Sequence, residues 1–274
     1  MAEAWRLLIT APAPGVWNMA VDEAILETCG RGDSLPTLRL YAWEPACLSL
    51  GYAQPFTDVD LPRLRARGWD LVRRPTGGRA VLHVDELTYA IIGPLDEPHL
   101  AGTVLESYNR LARALAEALR LLGLPVEIKD HAETRHGGKT TPVCFEVPST
   151  YEITVGGKKL VGSAQTRRKD GVLQHGSLPL TGNLTRILQA LVYPDEGSRR
   201  RAAERLLMRA TTAETALGRK VSWEEAAQAY VTAFQSVLAL DLQPGDLTLE
   251  EKARAEELVS IKYANPVWTE KQKS

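Results

Sequence analysis

Arg73-Arg74-Pro75-Thr76-Gly77-Gly78-Arg79-Ala80-Val81-Leu82-His83 says more about this chain than any other stretch. An apolar run from Trp69 to Val72 leads into two arginines, a proline and a glycine pair, and a second apolar run follows. Glycine adopts backbone dihedrals closed to other residues and lets the chain come close to a ligand. A plain hairpin turn is the simpler reading. Two arginines before the bend and a histidine after it gather polar groups around one loop, and binding residues concentrate in loops carried by a rigid scaffold. These residues favour a ligand-holding loop. It is neither a P-loop nor a dinucleotide-binding fingerprint, since neither glycine spacing is present.

Outward from this loop, strands dominate the first half and helices gather after Leu184. Trp5 to Ile9, Thr37 to Tyr41, Cys47 to Gly51, Asp70 to Val72, Glu86 to Ile92 and Val126 to Lys129 read as strands. Met19 to Thr28 reads as a helix capped by Asn18, with Asp22 and Glu23 near its positive end. The capping box Thr103-x-x-Glu106 opens a second helix, whose Leu111, Leu115, Leu119 and Leu122 recur at helical spacing until Gly123. Asp130 to Pro142 is polar and aperiodic and reads as a loop. Tyr151 to Val155 and Lys158 to Ala164 flank Gly156-Gly157 as a hairpin, and Val172 to Leu180 adds a third strand. Ser222-x-x-Glu225 and Thr248-x-x-Glu251 start later helices. Gln243-Pro244-Gly245-Asp246 marks a boundary, dividing a main domain over 1–243 (core about 33–243) from a short helical extension over 244–274. This order predicts an α+β fold with a central mixed, mostly antiparallel sheet flanked by helices.

Composition narrows the function classes. The 274 residues are 44% hydrophobic and 24% charged, ordinary values for one globular domain with a small appendage. A formal net charge of −1 gives no bulk attraction to nucleic acid or to an anionic membrane, so neither is an expected partner. Arg199-Arg200-Arg201 reads as a solvated helix face. No apolar run is long enough to span a bilayer, and the first residues do not resemble a signal peptide. Cys29, Cys47 and Cys144 are widely spaced with no Cys-x-x-Cys pair, which predicts reduced thiols and a cytoplasmic protein. No histidine–cysteine spacing matches a zinc site, so no metal is expected.

A second stretch carries chemistry. It runs Cys144-Phe145-Glu146-Val147-Pro148-Ser149-Thr150-Tyr151-Glu152-Ile153 and continues at Lys158-Lys159-Leu160-Val161-Gly162-Ser163-Ala164-Gln165. A buried, inert cysteine and a nucleophile are equal readings of Cys144 from its local sequence. Lys159, on the following hairpin, tips the balance, because a nearby ammonium favours thiolate over thiol. Strand alternation puts Lys158 and Lys159 on opposite faces, so one of the two faces the site.

In order along the chain, Thr-Gly-Gly-x-Ala-Val-x-His, Cys-Phe, Pro-Ser-x-Tyr-Glu and Lys-x-x-Gly-Ser-Ala-Gln resemble the catalytic domain of the lipoate and biotin protein ligase family, most closely its octanoyltransferase branch. The resemblance extends from Trp17-Asn18-Met19 to Lys262-Tyr263 and Trp268. It implies the biotin/lipoate protein ligase-like (class II synthetase-like) fold. It also implies an ATP-independent protein octanoyltransferase in which Cys144 carries the acyl group as a thioester and Lys159 lowers its pKa. The donor is then octanoyl-acyl carrier protein, and the acceptor a lysine of the glycine-cleavage H protein or of a 2-oxoacid dehydrogenase lipoyl domain, with no cofactor. Arg74, Gly77, Gly78, Ala80, Val81, His83, Gly162, Ser163 and Ala164 are the expected substrate-binding residues. His83 either shuttles a proton or forms pocket wall; His131, His136 and His175 are further candidates, and His99 is peripheral. Arg167, Arg168 and Lys169 offer a basic patch to an acidic carrier protein or are a solvated hairpin tip. An ATP-dependent lipoate ligase is the alternative; biotin ligase and a catalytically silent carrier-binding module fit less well.

Overall fold

Strand residues that alternate between two apolar sets require cover on both faces of the sheet. That requirement organises the chain. The computed structural model describes residues 3–130, Val143 and 151–271. Its first half comprises β1 (Glu3–Ile9), α1 (Gly15–Arg31), β2 (Thr37–Tyr41), β3 (Cys47–Leu50), α2 (Leu61–Arg65), β4 (Asp70–Arg73), β5 (Val81–His83), β6 (Glu86–Gly93), α3 (Val104–Leu121) and β7 (Val126–Asp130). The second half adds β8 (Tyr151–Val155), β9 (Lys158–Arg168), β10 (Gly171–Pro179), α4 (Glu196–Arg209), α5 (Ala213–Leu217), α6 (Trp223–Leu238), β11 (Leu240–Pro244), α7 (Leu249–Leu258) and α8 (Pro266–Thr269). Among the described residues no helix is long and apolar enough to cross a membrane.

Eight strands form one mixed sheet in the order β11-β1-β2-β6-β10-β9-β8-β7. β1 pairs in parallel with β11 and β2, and every other neighbouring pair is antiparallel. The mixed, mostly antiparallel sheet is the one expected. Leu87, Tyr89 and Ile91 of β6 join Leu38 and Leu40 of β2 beneath α3 and α6. The intervening Ala90 and Ile92, with Leu8 and Tyr41, pack against α1 and α7 on the other face. A smaller sheet, β4-β3-β5, carries the glycine loop and has its own apolar cluster with α4.

Local signals set most helix ends. Both reciprocal bonds of the Thr103–Glu106 and Thr248–Glu251 capping boxes are present. The start of α1 is a correction. The helix begins at Gly15, after Pro14, so Asn18, Asp22 and Glu23 lie beyond its N-cap. Asn18 instead donates its amide to the carbonyls of Ala13 (3.1 Å) and Ala42 (3.0 Å), fastening α1 to the chain leaving β2.

Glu251 anchors the residues after β11 to the start of the chain. Glu251, fully buried, takes a two-pronged contact from Arg6 at 2.6 and 2.8 Å, a hydroxyl bond from Thr28 and the Thr248 amide. Burial pushes its carboxyl pKa up, but Arg6 and the Thr248 amide outweigh that and hold it below the usual value. Removing one partner of a buried pair strands the other, at a cost of about 3–5 kcal/mol. Glu251→Ala is therefore expected to lower unfolding stability in urea by about 3 kcal/mol. A loss within the roughly 0–1 kcal/mol of an exposed pair would show that α7 is only loosely attached.

Candidate active site

Arg73 and Arg74 leave β4 with different tasks. Arg73, buried, donates to the carbonyls of Gly51 (2.9 Å), Gln54 (2.7 Å) and Thr269 (2.8 Å), while the Trp268 indole donates back to its own carbonyl at 2.8 Å. It binds α8 to the small sheet. Arg74 turns into the bend instead: its guanidinium donates to the carbonyls of Gly77 (2.8 Å), Arg79 (2.7 Å) and Ser49 (3.1 Å) and to the Ser49 hydroxyl. Gly78 has φ +89°, and the Gly78 carbonyl lies 2.0 Å from where a side chain on Gly51 would begin. Glycine at both positions permits this backbone contact.

The strand following the loop delivers His83 into a polar chain. Its Nε2 meets the Ser49 hydroxyl at 2.8 Å, and its Nδ1 meets Glu86 Oε1 at 2.5 Å. The Trp43 ring stacks on the imidazole, with centroids 3.9 Å apart and planes 12° from parallel. Glu86 also accepts from Thr88 at 2.5 Å and from Ser177, and Trp43 donates to Thr88 at 2.7 Å. Burial would raise the Glu86 carboxyl pKa, but the neighbouring His83 holds it below the ordinary range. Both ring nitrogens of His83 are engaged, so its place is in the wall.

His175 on β10 makes a second chain. Its Nε2 lies 2.6 Å from the Thr76 hydroxyl and its Nδ1 lies 3.4 Å from Asp22. Asp22 also receives Arg39 (2.7 Å) and the Tyr41 hydroxyl (3.0 Å). Burial lowers the His175 pKa against the pull of Asp22. For Asp22 burial works upward, and Arg39 and His175 overcome it to bring the carboxyl below its usual value.

Between the two chains lies a small, partly open pocket. Met19, Tyr41, Trp43 and Val81 supply apolar walls, and Gly162, Ser163, Ala164 and Gly176 lie along its strands. A Cβ on Gly176 would sit 2.6 Å from both the Gly162 carbonyl and the Tyr89 ring, so only glycine fits there without displacement. The Tyr89 hydroxyl contacts Ser163 at 2.6 Å, and burial pushes its pKa up to about 12.

Six of the expected binding residues, Arg74, Val81, His83, Gly162, Ser163 and Ala164, line this cavity together. Gly77 and Gly78 lie in the bend that Arg74 braces. Ala80 is fully buried elsewhere, bridged to Val143 in the small-sheet cluster. Val143 and Val81 line an adjoining hollow. Lys159 is buried on β9, three residues before Gly162, and its carbonyl accepts the Thr211 amide at 3.1 Å. Lys158 donates to the Leu207 carbonyl at 2.7 Å. Cys144, His131 and His136 lie outside the described residues. Sequence reading overlooked Glu86, Ser49, Trp43 and Gly176. The His83-x-x-Glu86 spacing across a tight turn was the available signal for the first.

Residues 14–235 match the model of the lipoyl protein ligase A/B catalytic domain. The chain belongs to that family. An octanoyltransferase LipM of Moorella thermoacetica is 47% identical over 99% of both chains. Another of the same name from Symbiobacterium thermophilum is 42% identical over 96% of this chain and 97% of its own. Among solved structures, a bi-partite lipoate protein ligase of Thermoplasma acidophilum superposes with a TM-score of 0.82 at 27% identity, over 99% of each chain. A lipoate-protein ligase A crystallised with ATP gives 0.78 at 26% identity, over 97% and 98%. The lipoate ligase-like fold expected from the sequence is the fold observed.

His175, Asp22 and Glu86 all bind protons less readily folded than unfolded. Acid therefore protonates the unfolded chain first and stability falls with pH. Glu97, raised to about 7, contributes the opposite trend over the same window, so the histidine effect is read as a difference. From pH 7 to 5, around the unfolded histidine value of about 6.5, the urea midpoint of wild type should fall relative to that of His175→Gln, and both should decline below about 4.5. Parallel profiles of the two proteins from pH 7 to 5 would contradict these assignments.

Proposed function

We propose that the chain passes an octanoyl group through a thioester on Cys144 to a lysine of an acceptor protein. It is an octanoyltransferase acting in protein lipoylation, a reading carried by its match to octanoyltransferases over nearly the full length of both chains. Its protein partner is one that accepts the lipoyl group. The donor in this proposal is octanoyl-acyl carrier protein, and the acceptor is the glycine-cleavage H protein or a lipoyl domain of a 2-oxoacid dehydrogenase.

In the first step the Cys144 thiolate attacks the donor thioester carbon; the new carbon–sulfur bond replaces the old, and the phosphopantetheine thiolate leaves and takes up a proton. In the second, the neutral acceptor amine attacks the same carbon. A carbon–nitrogen bond forms, the Cys144 thiolate leaves, and the amine releases its extra proton. One thioester replaces another and an amide ends the sequence, so neither ATP nor a metal is required. The Lys159 ammonium favours the thiolate in both steps. The apolar walls at Met19, Trp43 and Val81 suit an acyl tail, and the space left by Gly162, Ala164 and Gly176 admits it. Val143, the residue before Cys144, lines the hollow that shares Val81 with this cavity.

Each step develops an oxyanion, and removing one positioned donor from such a site costs about 10²–10³-fold in rate. Acceptor octanoylation from octanoyl-acyl carrier protein without ATP should fall to background in Cys144→Ala and by about 10²–10³-fold in Lys159→Ala. Full activity of Cys144→Ala, or acceptor labelling only when ATP and free lipoate are supplied, would make the protein a ligase instead.

A further inference from the structure

Away from the cavity, three ligand-type side chains converge from two separate segments. Glu3 opens β1, and Glu97 and His99 lie in the connection from β6 to α3. One donor atom from each lies within 4.8 Å of the other two. We propose that Glu3, Glu97 and His99 bind one divalent transition-metal cation of the zinc class, clasping the start of β1 to the β6–α3 connection.

The independent observation is at Glu97. This side chain is 5% exposed; its Oε2 accepts the Leu100 amide at 2.9 Å, while its Oε1 is buried with no hydrogen-bond partner. A buried, unpaired carboxylate oxygen is costly and calls for a water, a proton or an ion. Its neighbour in the cluster is a second carboxylate, Glu3, and burial together with that neighbour raises the Glu97 pKa to about 7, so near neutral pH the two acids compete for one proton that a cation would displace. Among the described residues no lysine or arginine forms an ion pair with either acid. Arg110 is close, but its guanidinium is directed at the carbonyls of His99 and Ala101.

The donor set suits the cation. One imidazole and two carboxylates are ligands that zinc accepts, and four-coordinate zinc with bonds of about 2.0–2.1 Å keeps its donors roughly 3.3 Å apart. His99 Nε2 and Glu3 Oε2 are 3.6 Å apart, a few tenths more. The imidazole also interacts with the Leu238 carbonyl, the kind of outer partner that orients a ligating histidine. The connection itself is held by Arg110 on the His99 carbonyl (3.1 Å) and by Arg167 on the Leu100 carbonyl (2.8 Å). Pre-positioned ligands of this sort lose little freedom on binding. Three protein ligands leave an open position for water or an anion.

The test uses the untagged full chain, stripped with chelator and titrated with Zn²⁺ by calorimetry and with Co²⁺ by absorption. One equivalent should bind, without a thiolate-to-cobalt charge-transfer band, and the melting temperature should rise with zinc concentration. Glu97→Gln and His99→Ala should each weaken zinc binding at least 10-fold and abolish the rise while remaining folded. Absence of binding, unchanged binding in both variants, or a thiolate band would overturn the proposal. So would a Glu97→Gln protein that is stabilised while wild type ignores zinc, since that identifies a proton shared by two carboxylates.

Discussion

Asp22 is a carboxylate with no exposed surface, and side chains from two strands meet on it. Arg39 and Tyr41 come from β2, His175 comes from β10, and Asp22 itself sits on α1. A buried charge is tolerable only when paired and hydrogen-bonded, so these partners cannot separate without stranding it. The constraint spreads. Arg39 also donates to the Asn18 carbonyl and side chain and lies over the Tyr41 ring at 4.0 Å. His175 passes it to Thr76, the residue before the glycine pair. The loop that bounds the cavity is thereby tied to a helix on the face of the large sheet.

A parallel chain runs from Arg74 through Ser49 and His83 to Glu86. Together the two chains fix polar groups on both sides of an otherwise apolar cavity. Donors held by neighbours need no reorganisation when charge develops, and they act more strongly where water is excluded. Both histidines serve as links in the wall, each with its two ring nitrogens engaged.

What was legible in the sequence was local. The Thr103 and Thr248 boxes, the Gly156-Gly157 hairpin and the β2 and β6 runs declare themselves through neighbouring residues. Long-range pairing decided the rest. Asn18 looked like a cap because asparagine prefers that position, yet the Ala42 carbonyl claims its amide. The Leu-Asp-Leu-Gln-Pro of β11 has no β-branched residue and is a strand because β1 offers it a parallel edge. Arg199 was expected on a solvated face but turns inward to the Leu188 carbonyl. Arg167 and Arg168, read as a free basic patch, bind the Leu100 carbonyl and Glu23, leaving Lys169 exposed. The motifs located the loops around the cavity. The carboxylates that brace them, Asp22 and Glu86, depend on contacts that no spacing rule contains, apart from the short step from His83 to Glu86.

In the proposed reaction the octanoyl group rests on Cys144 between donor and acceptor. Intact-protein mass spectrometry after mixing with octanoyl-acyl carrier protein alone, followed by peptide mapping, tests it most directly. One octanoyl adduct is expected on the Cys144 peptide, cleaved by hydroxylamine and discharged when apo acceptor is added. An adduct on any other residue, or acceptor modification by an enzyme that never carries the acyl group, would contradict it.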